Sequence, residues 1–209
     1  MGIKAVLFDA DNTLFPTRSV AKRADLAAMG SFAKNSSMNK NDIYREWRKI
    51  VSKIRHLRNP ELRTRNYSYW MLAKKLGIRG HAKAYSGFVR ELLRLLRPFS
   101  GTAKILGVLR RRGFKLAVIT EDSKDLAMKK LRKTRLAGYF STVVASDDIG
   151  SMKPSIQYIR VAAKRMNVEP RDCIVVSDSY ELDLKAAKKA GAKVLLANKG
   201  ILTLLPGIP

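Results

Sequence analysis

The sequence predicts an α/β protein: a parallel sheet covered by helices on both faces, with a helical block inserted after its first strand. Three observations carry this. Ile3-Lys4-Ala5-Val6-Leu7-Phe8 is a short, nearly all-apolar run, the pattern of a strand buried on both faces. From Pro98 onward such runs alternate with helical stretches, as right-handed crossovers in a parallel sheet require. Between these two parts, residues 17–97 read as helix.

The first strand ends on Asp9-Ala10-Asp11-Asn12-Thr13, and Leu14-Phe15-Pro16 closes the unit. Helices are expected at Ser19–Lys34, Lys40–Leu57, Pro60–Leu76 and Gly80–Leu96. Asn39 or Asn41 would cap the second, and Gly77 or Gly80 would end the third. Ile43, Trp47, Ile50, Val51 and Ile54 form one apolar stripe on a charged helix. Gly101–Arg112 reads as helix, Phe114–Ile119 as a strand running into Thr120-Glu121-Asp122-Ser123, and Lys124–Arg135 as helix. Thr142–Ala145 is a strand followed by Asp147-Asp148-Ile149-Gly150. Pro154 suits the first turn of a helix over Ser155–Met166. Cys173–Val176 is a strand ending on Ser177-Asp178-Ser179, Glu181–Ala190 a helix stopped by Gly191, and Lys193–Leu196 a last strand. The tail Ile201–Pro209 is apolar and punctuated by Pro and Gly.

At 209 residues the chain is one large domain, or a core with a smaller insert. A hydrophobic fraction of 46% supplies a packed core and excludes wholesale disorder. No apolar run is long enough to span a bilayer, and no charged-then-apolar leader precedes the first strand. Cys173 is the single cysteine; it sits in an apolar strand, reads as core, and fits a reducing cytoplasm. The anomaly is a net charge of +25, of which residues 17–97, with 20 Lys/Arg against 5 Asp/Glu, carry 15. Such a surface attracts polyanions and phosphorylated small molecules alike. Tyr44, Trp47, Tyr67, Tyr69 and Trp70 could stack on bases, but at helical spacing they read first as core.

The candidate chemistry lies at the carboxyl ends of the strands, where open α/β sheets hold their ligands. There Asp11-Asn12 simply starts a turn, or else Asp9 and Asp11, beside a bound cation, supply a nucleophile and a general acid/base. Three further elements end at the same edge, carrying Thr120, Lys153 and Asp178 with Asp183. Singly each is weak, since an Asp after a strand often caps a helix. Together they offer a nucleophilic carboxylate, an acid/base, a hydroxyl, a fixed cation and a metal ligand. Phosphoryl transfer needs that set, because positioning and charge neutralisation do most of its catalysis.

Over nearly its whole length the chain resembles the haloacid dehalogenase superfamily. Four motifs stand in order: FDADNTL (Phe8–Leu14), VIT (Val118–Thr120), KP (Lys153-Pro154) and VSDSYELD (Val176–Asp183). Around them stand PFSGT at Pro98–Thr102, SDDIGSMKPS at Ser146–Ser155 and DLKAAKKAGAK at Asp183–Lys193. The resemblance implies a Rossmann-like core (residues 1–16 and 98–209) and a helical cap (17–97) that lies over the site and reads the leaving group. By position, Asp9 would attack phosphorus to form an aspartyl-phosphate, and Asp11 would protonate the leaving oxygen and then activate water. Mg²⁺ would be held by Asp9, the carbonyl of Asp11, Asp178 and waters. Thr120 and Lys153 would hold the phosphoryl oxygens, with Thr13 and Asp183 orienting their neighbours.

Asp11 argues against dehalogenation, because a halide leaves without a proton and an alkoxide does not. Two positions depart from the family pattern. Glu121 replaces a small polar residue and could repel phosphate unless it turns outward or pairs with a cap cation. Ser177 stands where Gly is common and adds a Cβ near the metal loop. The expectation is a Mg²⁺-dependent phosphatase of a small phosphomonoester such as a sugar phosphate or phosphoglycolate, a monomer or homodimer without membrane contact. The alternatives are a nucleotide or nucleic-acid-end phosphatase, and a non-catalytic polyanion-binding protein on the same scaffold.

Overall fold

The computed structural model describes residues 2–197 and 200–201; the expected tail beyond Ile201 lies outside the described residues. Five strands form one sheet: β1 (Ala5–Asp9), β2 (Lys115–Ile119), β3 (Thr142–Val144), β4 (Cys173–Ser177) and β5 (Lys193–Leu196). Their order is β3-β2-β1-β4-β5, and each neighbouring pair is parallel. The chain therefore starts mid-sheet, steps outward to β3, then returns to the other side of β1. That reversal puts a topological switch point between β1 and β4, the place where open sheets of this kind bind ligands.

The α-helices among the described residues are α1 (Thr17–Ala33), α2 (Lys40–Ile54), α3 (Arg65–Lys75), α4 (His81–Leu95), α5 (Thr102–Arg111), α6 (Lys124–Lys133), α7 (Ser146–Ile149), α8 (Gln157–Arg165) and α9 (Lys185–Lys189). All five residues of β1 are buried. Ala5 and Leu7 join Ala117, Ile119 and Val175 in a core packed on Ile159, Ala162 and Ala163 of α8 and Ala187 of α9. Val6 and Phe8 point the other way, as side chains alternate along a strand. They are buried too, with the Phe8 ring edge-on to Phe140 at 6.3 Å. A strand covered on both faces has no polar position to spare, which explains its unbroken apolar sequence.

Two compact units are present: the chain up to Thr17 together with Leu96 onward, which holds the sheet, and Arg18–Leu95. The second has its own core of Phe32, Ile43, Trp47, Tyr69 and Phe88. Inside it Asp25, 3% exposed, accepts hydrogen bonds from Tyr69 Oη at 2.7 Å and Arg65 Nε at 2.9 Å. The Trp47 indole donates to Ser68 Oγ at 2.9 Å. The α2 stripe buries Ile43, Trp47, Ile50 and Ile54, while Val51 is half-buried. No helix among the described residues is long and apolar enough to cross a membrane.

Three expected helices differ in detail. Pro60–Leu76 is broken at Thr64, whose extended backbone and side-chain bond to the Tyr67 amide start α3 afresh after a short 3₁₀ turn. Pro154 does not open a helix: the Lys153–Pro154 peptide is cis, and α8 begins at Gln157. Glu181–Ala190 starts as a π-helical turn over Tyr180–Leu184 before tightening into α9.

Candidate active site

The site begins with the turn after β1. Asn12 takes a left-handed φ of 62°, the Leu14 amide bonds back to Ala10 O at 2.9 Å, and the Asn12 amide to Phe15 O at 2.8 Å. This bend carries Thr13 back under the strand end. Its buried hydroxyl donates to Asp9 Oδ2 at 3.3 Å and accepts the Asp178 amide at 3.0 Å. One hydroxyl thus ties the ends of β1 and β4 together across the switch point.

Asp9 and Lys153 form the centre. The Lys153 Nζ donates to Asp9 Oδ1 at 2.7 Å and to the Ile119 carbonyl at 3.1 Å, and pairs with Asp183 Oδ1 at 2.6 Å. Asp183 Oδ2 accepts from Ser177 Oγ at 2.8 Å, and the same Ser177 oxygen accepts the Ser179 amide at 3.0 Å. Two buried carboxylates share one ammonium. Burial pushes the Asp9 carboxyl up to about 8, opposed by Lys153 and reinforced by Asp183. Burial alone would drive the Lys153 ammonium down, but Asp183 and Asp9 hold it above the ordinary lysine range. Lys153 therefore stays charged, fixed between the two carboxyl groups.

Asp11 faces a second lysine. Lys130 Nζ donates to its two oxygens at 2.8 and 3.0 Å and to Asp122 Oδ2 at 2.6 Å, while Thr17 Oγ1 also donates to Asp11 Oδ1. Thr120 is buried at the end of β2. Its amide bonds to Val144 O at 2.9 Å and its hydroxyl accepts the Asp122 amide at 3.2 Å. Glu121 Oε1 accepts the Lys153 amide at 3.0 Å, so the unusual carboxylate anchors the loop carrying Lys153.

The expected residues all lie at the carboxyl edge of the sheet in two bonded groups, Asp9, Thr13, Lys153, Asp178 and Asp183 in one and Asp11 and Thr120 in the other, through Lys130 and Asp122. Sequence reasoning missed Lys130, Asp122, Thr17 and the acceptor role of Ser177. For Lys130 a signal existed: it interrupts the buried stripe Leu126, Ala127 and Leu131. A groove of about 540 Å³ lined by Lys4, Arg160, Lys164 and Asp172 lies at the opposite end of the strands and shares none of these residues.

Among the described residues no group of three His, Cys, Asp or Glu side chains draws together as a metal centre. The set that the resemblance implies for Mg²⁺ is smaller: the Asp9 and Asp178 carboxylates with the Asp11 carbonyl. It fits a hard cation that keeps several waters. The Asp9 carboxyl and the Asp178 amide are tied to one hydroxyl, and a cation there would favour the ionised form of Asp9 that burial disfavours.

A family model described as haloacid dehalogenase-like hydrolase matches residues 3–191. A glyceraldehyde 3-phosphate phosphatase of Methanopyrus kandleri is 29% identical over 207 residues, covering 95% of this chain and 85% of that protein. The crystal structure of a phosphatase of this superfamily from Thermococcus onnurineus shares the fold at a TM-score of 0.74 and 22% identity, covering 94% of this chain and 86% of that one. A 2-haloacid dehalogenase from Pseudomonas syringae does so at a TM-score of 0.74 and 21% identity, covering 93% and 86%. The two structures share the architecture and differ in chemistry. The matched residues run from the first strand past Asp183 and include each acid and lysine above; the chain belongs to the haloacid dehalogenase-like hydrolase family.

Proposed function

We propose that this protein is a Mg²⁺-dependent phosphatase of a small phosphomonoester, of the sugar-phosphate or phosphoglycolate type. The observation that carries the reading is the buried Asp9 carboxylate, held at the switch point by Lys153 at 2.7 Å with a second acid, Asp11, two residues on. Asp9 attacks phosphorus while Asp11 gives its proton to the departing ester oxygen; water then releases phosphate from Asp9 as Asp11 takes the proton back. Thr120 and Lys153 hold the phosphoryl oxygens, and Lys153 fixes the attacking carboxylate. Asp9, the Asp11 carbonyl and Asp178 would hold Mg²⁺, which supplies charge neutralisation for the transferred group. Asp11 favours an oxygen leaving group over a halide, and the similarity to a glyceraldehyde 3-phosphate phosphatase supports a small phosphorylated substrate. A single cysteine, the buried Cys173, supports a reducing cytoplasm.

A second reading, a nucleotide phosphatase, has one observation in its favour. Trp70 is 42% exposed, stacks on Tyr67 at 5.6 Å and lies under Lys74 at 5.5 Å, a surface on which a base can stack. A panel of phosphomonoesters, assayed with and without Mg²⁺ beside Asp9→Asn, tests both. Metal-dependent turnover that vanishes in the variant is expected, with sugar phosphates or phosphoglycolate ahead of nucleotides. Nucleotides ahead would reverse the choice, and no turnover across the panel would sink both readings in favour of a polyanion-binding scaffold.

A further inference from the structure

Lys130 occupies a helix position that otherwise belongs to the core. It is 2% exposed within the stripe Leu126, Ala127 and Leu131, and an ammonium there is costly unless paired and hydrogen-bonded. Its partners are the two oxygens of Asp11 at 2.8 and 3.0 Å and Asp122 Oδ2 at 2.6 Å. Two contacts from one nitrogen fix the plane of the Asp11 carboxyl, and Thr17 Oγ1 grips Oδ1 from a separate element. Asp122, whose amide is bonded to Thr120 Oγ1, anchors the nitrogen. The Asp11 side chain, 32% exposed, is thus gripped from two separate elements.

We infer that Lys130 is a positioning residue that aims the Asp11 carboxyl at the leaving oxygen. The inference rests on the phosphatase reading and adds a residue that acts through Asp11. In the first half-reaction the bond from phosphorus to the ester oxygen breaks as the bond from Asp9 forms, and the Asp11 proton moves to that oxygen. In the second, water oxygen bonds phosphorus, the Asp9–phosphorus bond breaks, and the water proton moves to Asp11. Both transfers require the same carboxyl within hydrogen-bond reach of a moving oxygen, and misplacement by an ångström is heavily penalised. Each acid of the pair therefore has its own buried ammonium: Lys153 for Asp9, Lys130 for Asp11.

The test compares kcat/KM for 4-nitrophenyl phosphate, whose leaving group departs without a proton, with that for the alkyl phosphate the parent turns over fastest. Lys130→Met keeps the stem and removes the charge. The expected result is a loss at least about tenfold larger for the alkyl phosphate than for 4-nitrophenyl phosphate, repeated by Asp11→Asn. Adding Lys130→Met to Asp11→Asn should then cost less than about twofold more, because the two act as one unit. Should Lys130→Met not melt cooperatively, Lys130→Arg replaces it, with the same selective loss at smaller size. Equal losses for both substrates, or a full additional loss in the Asp11→Asn background, would overturn the inference and leave the phosphatase reading standing. A parent without turnover overturns both.

Discussion

Lys153 shows what a single side chain does here. With Asp9 on one side and Asp183 on the other, its removal leaves two buried carboxylates without a cation. Lys153→Met is expected to lose activity by a factor on the order of 10³ and stability by roughly 3 kcal/mol or more, read from turnover and a urea melt. Glu121 gives a finer prediction. Glu121→Gln keeps an acceptor for the Lys153 amide and should retain most activity, whereas Glu121→Ala frees that loop and should lower kcat about tenfold. Equal activity in the two variants would count against the anchoring role. Asp9, Thr120 and Asp178 could be placed from sequence because each ends or directly follows an apolar strand, and strand ends converge on one edge. Lys130 left only a weak signal, because a lysine on a helix ordinarily faces water; its place in an apolar stripe gains meaning once the stripe is known to be buried. Ser177 reads in sequence as a mild departure from Gly, since a hydroxyl's partners depend on how the next turn closes.

At the scale of elements, stability is set by how segments start. Thr64 begins α3 inside what reads as one long helix, and Thr64→Ala should cost about 1 kcal/mol in thermal melts. Apolar periodicity alone passes through such a break, because the cap changes backbone direction without changing the pattern. The one-turn helix α7 depends on Asp148, which accepts the Ala145 amide at 2.9 Å, Lys124 Nζ at 3.2 Å and an Arg165 nitrogen at 2.6 Å. Partial burial pushes its carboxyl up, but Arg165, the Ala145 amide and Lys124 outweigh this and hold it at about 2, against 3.8 ordinarily. The lowered value makes the ionised form favour folding. The contribution is complete above about pH 4 and disappears as pH falls through 2. Asp148→Asn should therefore unfold about 2 kcal/mol more easily at pH 7, and parent and variant should converge near pH 2. A gap that persisted there would refute the assignment.

For the whole molecule the dominant fact is the charge of +25. A field of that sign draws anions toward the protein from all directions, and salt screens it within about 8 Å at physiological ionic strength. For an anionic phosphomonoester, kcat/KM should fall about threefold as salt rises from about 50 to about 500 mM, while kcat hardly changes; a flat profile would show that the charge serves something other than capture. The order β3-β2-β1-β4-β5 has a temporal consequence. β1 pairs with residues 115–119 on one edge and 173–176 on the other, so the strand bearing Asp9 is synthesised long before either neighbour. At ribosomal speeds of 5–20 residues per second, roughly ten to thirty seconds separate its appearance from that of β4. During that interval Arg18–Leu95, whose helices contact one another locally, can already condense. The strand bearing Asp9 waits, apolar and unpaired until β2 emerges and open on its other edge until β4 does, a segment that a nascent-chain chaperone has reason to hold.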